Sequence, residues 1–160
     1  MTPDSSLVEV KIGALIMDPN TNTPIVVLKG VEAETVLPIW VGAFEANAIA
    51  LEIEKIVPQR PMTHDLLRNV IIECGWLATK VIVTDLSDNT FFARIELVDK
   101  KGDAVFLDAR PSDAIALALR LDCPIYVEKN VLDLSASTTT VDPVSEDEMP
   151  PPEDWPDLIA

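Results

Sequence analysis

The sequence predicts a single α+β domain with a mixed, largely antiparallel sheet and about three helices. Three observations support this class: several short runs of β-branched residues, three segments with apolar side chains at helical spacing, and dense turn signals between them. The chain has 160 residues, of which 48% are apolar and 24% charged. That length and composition are sufficient for one buried core.

The first forty residues predict an antiparallel meander of three strands. Residues 7–17 (LVEVKIGALIM) alternate between apolar and polar positions and then become wholly apolar, and residues 18–24 (DPNTNTP) are a dense turn signal. Two further β-branched runs follow, PIVVLKG and TVLPIWV. Pro38 inside the third run indicates an edge strand or a bulge, because proline has no N–H to donate to a neighbouring strand.

Three segments have helical character. The first is residues 43–56 (AFEANAIALEIEKI), which has two apolar lines: Phe44, Ala48 and Leu51 form one, and Ile49, Ile53 and Ile56 form the other. The second is predicted to begin at Thr63 and to direct four side chains inward: Leu67, Val70, Ile71 and Cys74. The third, from about Pro111 to Leu121, is nearly all Ala, Ile and Leu, so we expect it to be buried on most sides.

Between the second and third helices, the sequence predicts three strands with two tight connections. They are TKVIVTDL (residues 79–86), TFFARIELVD (residues 90–99) and AVFLDA (residues 104–109). KKGD between the last two is a hairpin tip in which Gly102 supplies the positive φ. A short strand, PIYV, follows the third helix.

The formal net charge of −15 argues against a protein that holds nucleic acid mainly by neutralising phosphates, although an average can hide a local basic patch. Residues 135–160 contain seven acids and no Lys or Arg, which leaves 20 acids, 12 bases and a net charge of −8 in residues 1–134. The last segment also has five prolines. We therefore predict a folded domain at residues 1–134 and an acidic, Pro-rich, disordered tail at residues 135–160. The apolar end of the tail, residues 155–159, either docks on a protein partner or is part of an inert solubilising segment.

Neither the cysteines, nor the start of the chain, nor any long apolar run indicates secretion or a membrane anchor. Cys74 and Cys123 have no metal-ligand or redox spacing, so we expect reduced thiols that fill the core. The first residues lack the order of a signal peptide, and no run of about 18 apolar residues occurs. The expected location is the cytoplasm.

Two stretches combine an Arg-Pro pair, a hydroxyl and an acid at the start of a helix: RPMTHDLL (residues 60–67) and RPSDAIALAL (residues 110–119). Capping of free backbone amides explains the prolines, Thr63, Ser112 and Asp113 without any function. Capping does not explain the two arginines. Arg60 and Arg110 could form anion sites with the free amides, or Arg110 could pair with Asp108 or Asp113 as a structural clamp.

His64 is the only histidine and lies beside Asp65. It could act as a general base, bind a metal or only begin a helix. Consecutive helical residues point about 100° apart, so His64 and Asp65 cannot both address one small atom in a regular first turn. A metal site for phosphodiester chemistry would need converging carboxylates, for which the candidates are Glu45, Asp65, Asp108 and Asp113. No recognised catalytic spacing is present in the sequence.

Three blocks of the sequence, LPIWVGAFEANAI, RPMTHDLL and LDARPSDAIALALR followed by PIYV, resemble the signature blocks of the bifunctional nuclease domain family. The resemblance covers roughly residues 7–134 and leaves the acidic tail outside. It implies an α+β domain that forms homo-oligomers, with nuclease activity on DNA and RNA attributed to plant members. The positions that match the blocks are Glu45, Arg60, Thr63, His64, Asp65, Asp108, Arg110, Ser112 and Asp113.

The leading hypothesis from the resemblance is a cytoplasmic, metal-assisted phosphodiester hydrolase with no membrane association. Its expected catalytic residues are His64, Asp65, Asp108 and Asp113. Its expected phosphate-binding residues are Arg60, Thr63, Arg110 and Ser112. Its expected ligands for Mg²⁺ or Mn²⁺ are Glu45, Asp108 and Asp113.

The competing hypothesis is a non-catalytic homo-oligomeric module that binds a small anion or a protein partner. In that case the Arg-Pro junctions are clamps of the fold. Under either hypothesis a dimer is the expected oligomer, and nucleic acid is the expected substrate only under the first.

Overall fold

The structure is a computed structural model that describes residues 6–138. Seven strands and four helices lie within this range, and the predicted α+β class is confirmed. The elements in chain order are β1 (Leu7–Met17), β2 (Pro24–Gly30), β3 (Val36–Trp40), α1 (Ala43–Ile53), α2 (Thr63–Glu73), β4 (Leu77–Ser87), β5 (Thr90–Val98), β6 (Ala104–Ala109), α3 (Pro111–Leu121), β7 (Ile125–Glu128) and α4 (Lys129–Thr138).

The sheet consists of two antiparallel meanders joined by one short strand. Its order is β3-β2-β1-β7-β4-β5-β6, and β7 pairs antiparallel with β1 and parallel with β4. The predicted meander of the first forty residues is confirmed, and Pro38 lies on the edge strand β3. Gly102 has φ +88 in the β5–β6 connection, so the predicted hairpin tip is also confirmed.

The main core lies between the helices and one face of the sheet. Alternation along each strand places one set of apolar side chains against the helices, because successive residues point to opposite faces. The fully buried large side chains on this side include Leu28, Leu37, Ile49, Leu97 and Ile115. α3 is nearly wholly buried, as its composition predicted, and it contacts α1, α2, β4 and β5. It is therefore the central helix of the layer.

The inward face predicted for α2 is wrong for three of its four residues. Only Ile71 is buried, at 6% exposure, whereas Leu67 is 42% and Val70 50% exposed, and Cys74 is exposed too. The physical reason is that α2 packs on α3 rather than directly on the sheet, so a narrow line of its surface is covered. Phe44, predicted on the apolar line of α1, is 89% exposed.

The cysteine prediction is correspondingly half right. Cys74 is exposed, while Cys123 is partly buried against the core and both thiols are free. Burial raises the pKa of the Cys123 thiol to about 11, so this thiol remains protonated at neutral pH.

A fourth helix, α4, follows β7 directly and was not predicted. Its mean apolarity is low, but Val131 is fully buried against the core and the helix contacts β4 and β7. α4 continues to Thr138, past the predicted start of the acidic tail at residue 135. Residues 139–160, including the apolar stretch 155–159, lie outside the described residues. Within residues 6–138, no helix has the length and apolarity needed to span a membrane.

Substitution of two consecutive isoleucines of α2 shows which face of this helix contributes to stability. Ile71 is 6% and Ile72 48% exposed. We expect Ile71→Ala to lower the free energy of unfolding by about 2–5 kcal/mol, because it leaves a cavity against α3. Ile72→Ala, the matched control, should cost less than about 1 kcal/mol. Urea unfolding followed by circular dichroism measures both, and equal losses would contradict the packing described for α2.

Candidate active site

The first turns of α1, α2 and α3 converge on one cleft of about 780 Å³. Each helix start contributes polar side chains to the cleft: Glu45 from α1, Thr63 and His64 from α2, and Arg110 with Asp113 from α3. The end of β6 completes the wall. Because free backbone amides and the positive ends of three helix dipoles point toward this region, the backbone makes it favourable for negative charge.

Four side chains at these helix starts form one connected network, which we term the Arg110 network: Glu45, Arg110, Asp113 and His64. Arg110 Nη1 lies 2.9 Å from Glu45 Oε1, and Arg110 Nε donates to Asp113 Oδ2 at 2.8 Å. The other oxygen of Asp113, Oδ1, lies 2.9 Å from His64 Nε2. The network joins three helices. Of the partners that the sequence left open for Arg110, Asp108 or Asp113, the structure shows Asp113, and this pairing also holds His64.

The charges of the network favour an ionised Asp113. Burial by itself raises the pKa of this carboxyl group, but its hydrogen bonds to Arg110 and His64 and their charges outweigh burial and lower the pKa from its usual value. The pKa of Arg110 is raised by Asp113 first and by Glu45 second, so the guanidinium stays charged. Asp113 is therefore a permanent acceptor that orients both His64 and Arg110.

Glu45 folds back over the N-terminus of α1 to reach Arg110. Its carboxylate lies where a Cβ of Gly42 would be, and Gly42 is the N-cap residue of α1. Any larger residue at position 42 would displace the carboxylate. Gly42 thus has a specific role in the network, because the absence of a side chain there leaves room for the Glu45 carboxylate.

A second cluster lies beside the network and is centred on Arg120, whose side chain is 3% exposed. Its Nε donates to Asp65 Oδ1 at 2.8 Å, Nη1 donates to the Ala116 carbonyl at 2.9 Å, and Nη2 donates to the Ala48 carbonyl at 2.9 Å. Glu52 lies 3.9 Å away. Arg120 therefore links α3 to both α1 and α2. Sequence reasoning missed it, although one arginine in a helix of Ala, Ile and Leu was a usable signal, since a buried guanidinium must find partners.

Asp65 belongs to this second cluster and is separated from the Arg110 network. Its Oδ2 accepts from the Met62 backbone N–H at 2.9 Å and caps α2, while Oδ1 accepts from Arg120. Burial raises the pKa of Asp65, but these hydrogen bonds and the Arg120 charge lower it by more, so the net shift is downward. His64 and Asp65 point to different partners, as the angular separation of consecutive helical residues predicted.

The remaining predicted site residues lie apart from the network. Thr63 is exposed on the cleft wall, Arg60 is exposed in the loop before α2, and Ser112 is 6% exposed inside the start of α3. Asp108 is part of the wall, but its neighbours Leu107 and Ala109 also line the cleft, and side chains alternate along a strand. The Asp108 carboxylate therefore points to the opposite face, next to its register partner Arg94.

The predicted metal ligands Glu45, Asp108 and Asp113 do not form a ligand set. Glu45 and Asp113 are both paired with Arg110, and the Asp108 carboxylate lies on the other face of the sheet. Among residues 6–138, no group of three or more His, Cys, Asp or Glu side chains is arranged to hold a metal ion. The carboxylates as placed do not fit a divalent cation, because the guanidinium already lies between two of them.

Comparison with known proteins relates this chain to one family. The model of the bifunctional nuclease domain matches residues 26–140, a range that includes every residue of the two clusters. An uncharacterised protein of Mycobacterium tuberculosis is 40% identical over 124 residues, which cover 78% of this chain and 73% of that protein. Bifunctional nuclease 2 of Arabidopsis thaliana is 32% identical over 95 residues, which cover 58% of this chain and 29% of that protein. Bifunctional nuclease 1 of Oryza sativa subsp. japonica is 24% identical over 101 residues, which cover 62% and 30% respectively.

Separate substitution of Arg120 and Arg110 distinguishes an arginine that stabilises the fold from one that is available for function. Arg120→Ala leaves Asp65 and two backbone carbonyls without their donor, so we expect a loss of at least about 3 kcal/mol in the free energy of unfolding. The side chain of Arg110 is 65% exposed. Arg110→Ala should therefore cost less than about 1 kcal/mol. Urea unfolding at one protein concentration measures both, and a loss at Arg110 as large as at Arg120 would make the Arg110 network a clamp of the fold.

Proposed function

The chain belongs to the bifunctional nuclease domain family, and we propose that it hydrolyses phosphodiester bonds of nucleic acid in the cleft that holds the Arg110 network. The observation that carries this proposal is the His64–Asp113 pair at 2.9 Å beside an exposed arginine. Together these residues provide a proton acceptor, a group that orients it and a cation for the phosphate. The bifunctional nuclease names of the plant relatives support the reaction class.

His64 is the proposed general base. With Nε2–H donated to the ionised Asp113, the imidazole keeps one tautomer and its Nδ1 lone pair is the remaining acceptor. Nδ1 then takes the proton of a water molecule as that water attacks the phosphorus atom, and Asp113 stabilises the resulting imidazolium. The bond to the leaving oxygen breaks, and a proton from solvent completes the alcohol.

Arg110 is the proposed phosphate ligand. Among the described residues its ion-pair partners are Glu45, at Nη1, and Asp113, at Nε, so the second terminal nitrogen, Nη2, is the one available to a ligand in the cleft. A charge-assisted hydrogen bond from this nitrogen would stabilise the negative charge that develops on the phosphoryl oxygens. Thr63, exposed on the same wall, would donate a second hydrogen bond.

A divalent cation is not part of these steps, since Glu45, Asp108 and Asp113 do not form a ligand set. Mg²⁺ or Mn²⁺, expected from the resemblance, remains a variable of the reaction to be measured. The cytoplasm likewise remains the proposed location.

Cleavage of labelled single-stranded DNA and RNA tests this proposal. We expect His64→Gln and Asp113→Asn each to lower kcat by about 10²–10⁴, the range that general base catalysis contributes. Arg110→Ala should lower kcat/KM, whereas Arg94→Ala, a matched arginine on the opposite face of the sheet, should not. Each reaction is run with Mg²⁺, with Mn²⁺ and with EDTA, and circular dichroism confirms that the variants are folded.

Cleavage that is equal in the wild type and in His64→Gln would reject the proposed base. No cleavage by the wild type under any of the three conditions would favour the second candidate function. That candidate is a non-catalytic homo-oligomeric module that binds a small anion or a protein, and it also has a specific observation in its favour.

That observation is the apolar face of α2 that borders the cleft, where Met62, Leu66, Leu67 and Val70 are 42–58% exposed. Contiguous large apolar side chains on one helix face are typical of contacts between proteins. We propose that two copies of the chain associate through this face, under either candidate function.

Sedimentation velocity over a concentration series tests the association. We expect Leu66→Asp to shift the mass from dimer to monomer, because it would bury an unpaired charge at the contact. Val36→Asp on the distant edge strand, where Val36 is 47% exposed, is the matched control and should leave the mass unchanged. A wild-type monomer at all concentrations would reject the dimer.

A further inference from the structure

We propose that the cleft contains a subsite for one unpaired nucleobase, formed by Phe44 and Asn47 of α1. The substrate class that this subsite selects is a single-stranded polynucleotide. The inference rests on the proposed function, because it places the base next to the phosphate that Arg110 would hold. It is carried by two observations that the Arg110 network does not explain.

The first observation is an aromatic side chain at the rim of the cleft. Phe44 is 89% exposed although it lies in the first turn of α1, next to Glu45, which pairs with Arg110. A phenyl ring exposed to water gains free energy by covering its face with another flat group. A nucleobase offers such a face, and base–aromatic stacking is tolerant of sequence.

The second observation is a buried acceptor in the same wall. Asn47 Oδ1 is buried and has no hydrogen-bond partner among the described residues. Asn47 lines the cleft three residues after Phe44, so the two side chains are neighbours on one face of α1. A buried carbonyl without a donor is destabilising. Rotation of the Asn47 amide toward the cleft would expose its oxygen, and the ring or exocyclic N–H of a base would then supply the donor.

The rest of the cleft suits a base better than a duplex. Leu107 and Ala109 of β6 add apolar wall to the cleft, and they would contact the base without competing for hydrogen bonds. A base stacked and paired in a duplex presents neither its face nor its pairing edge, and extruding it costs a few kcal/mol. The subsite therefore selects against double strands.

A base subsite also accounts for how a chain with net charge −15 would hold a polyanion. If affinity comes from stacking and one arginine rather than from many basic residues, binding depends weakly on salt. The expected slope of log K against log[salt] is then about −0.7, the value for one neutralised phosphate of a single strand.

Fluorescence anisotropy with phosphorothioate probes, which resist cleavage, tests the subsite. The probes are a single-stranded oligonucleotide, an abasic strand with the same number of phosphates, and the corresponding duplex. We expect the wild type to bind the base-bearing strand at least about tenfold more tightly than the other two, from the stacking of one base. Phe44→Ala and Asn47→Ala should each reduce this ratio, and Phe44→Trp should retain it. Val57→Ala is the matched control, since Val57 is 88% exposed and lies outside the cleft wall.

Equal binding of the base-bearing and abasic strands by the wild type would overturn the subsite. A Phe44→Ala variant that keeps the preference for the base-bearing strand but sediments as a smaller species would also overturn it. Phe44 would then lie in a contact between two copies. Cleavage that depends on His64 but shows no base preference would overturn the subsite alone. Base-dependent binding without cleavage would overturn the nuclease and leave the subsite standing.

Discussion

The cleft depends on one buried arginine that ties three helices together. Arg120 bonds to a side chain of α2 and to main-chain carbonyls of α1 and α3, and it is almost fully removed from water. Burying a guanidinium is costly unless its N–H donors are hydrogen-bonded. A shift of any one of the three helices would break one of these bonds and would therefore be costly. α2 lacks extensive contact with the sheet, and its placement therefore depends on α3 and on this link.

Two consecutive residues of α2 are each bonded to α3, and this double attachment connects the fold to the proposed chemistry. Asp65 bonds to Arg120 and His64 bonds to Asp113. Because the two side chains leave the helix in different directions, the pair of bonds fixes both the position of α2 and its rotation about its axis. The orientation of the imidazole is thus a consequence of a structural contact on the neighbouring residue. The family relation shows the domain, and this arrangement is the geometry on which the proposed role of His64 rests.

The sequence does not distinguish the apolar side chains of α1 and α2 that are buried from those that are exposed. The apolar spacing of α2 predicted an inward face, yet Leu67 and Val70 are exposed and Ile71 alone is buried. The spacing of apolar residues predicts which face of a helix is apolar. It does not predict whether the same chain, a second copy or a ligand covers that face. The exposed Phe44 on α1 is a second example, and both surfaces flank the cleft.

What the sequence determined by itself is local. The turn at residues 18–24, the edge position of Pro38, the Gly102 hairpin and the starts of α2 and α3 follow from the conformations allowed to a few adjacent residues. The tertiary structure decided the partners: Arg110 meets Glu45, Asp65 meets Arg120, and Asp108 faces away from both. α4 and the insertion of β7 between two meanders were also beyond local reasoning. The physical reason is that these pairings join residues tens of positions apart. They are set by strand register and helix packing, which the residues next to them in the sequence do not reveal.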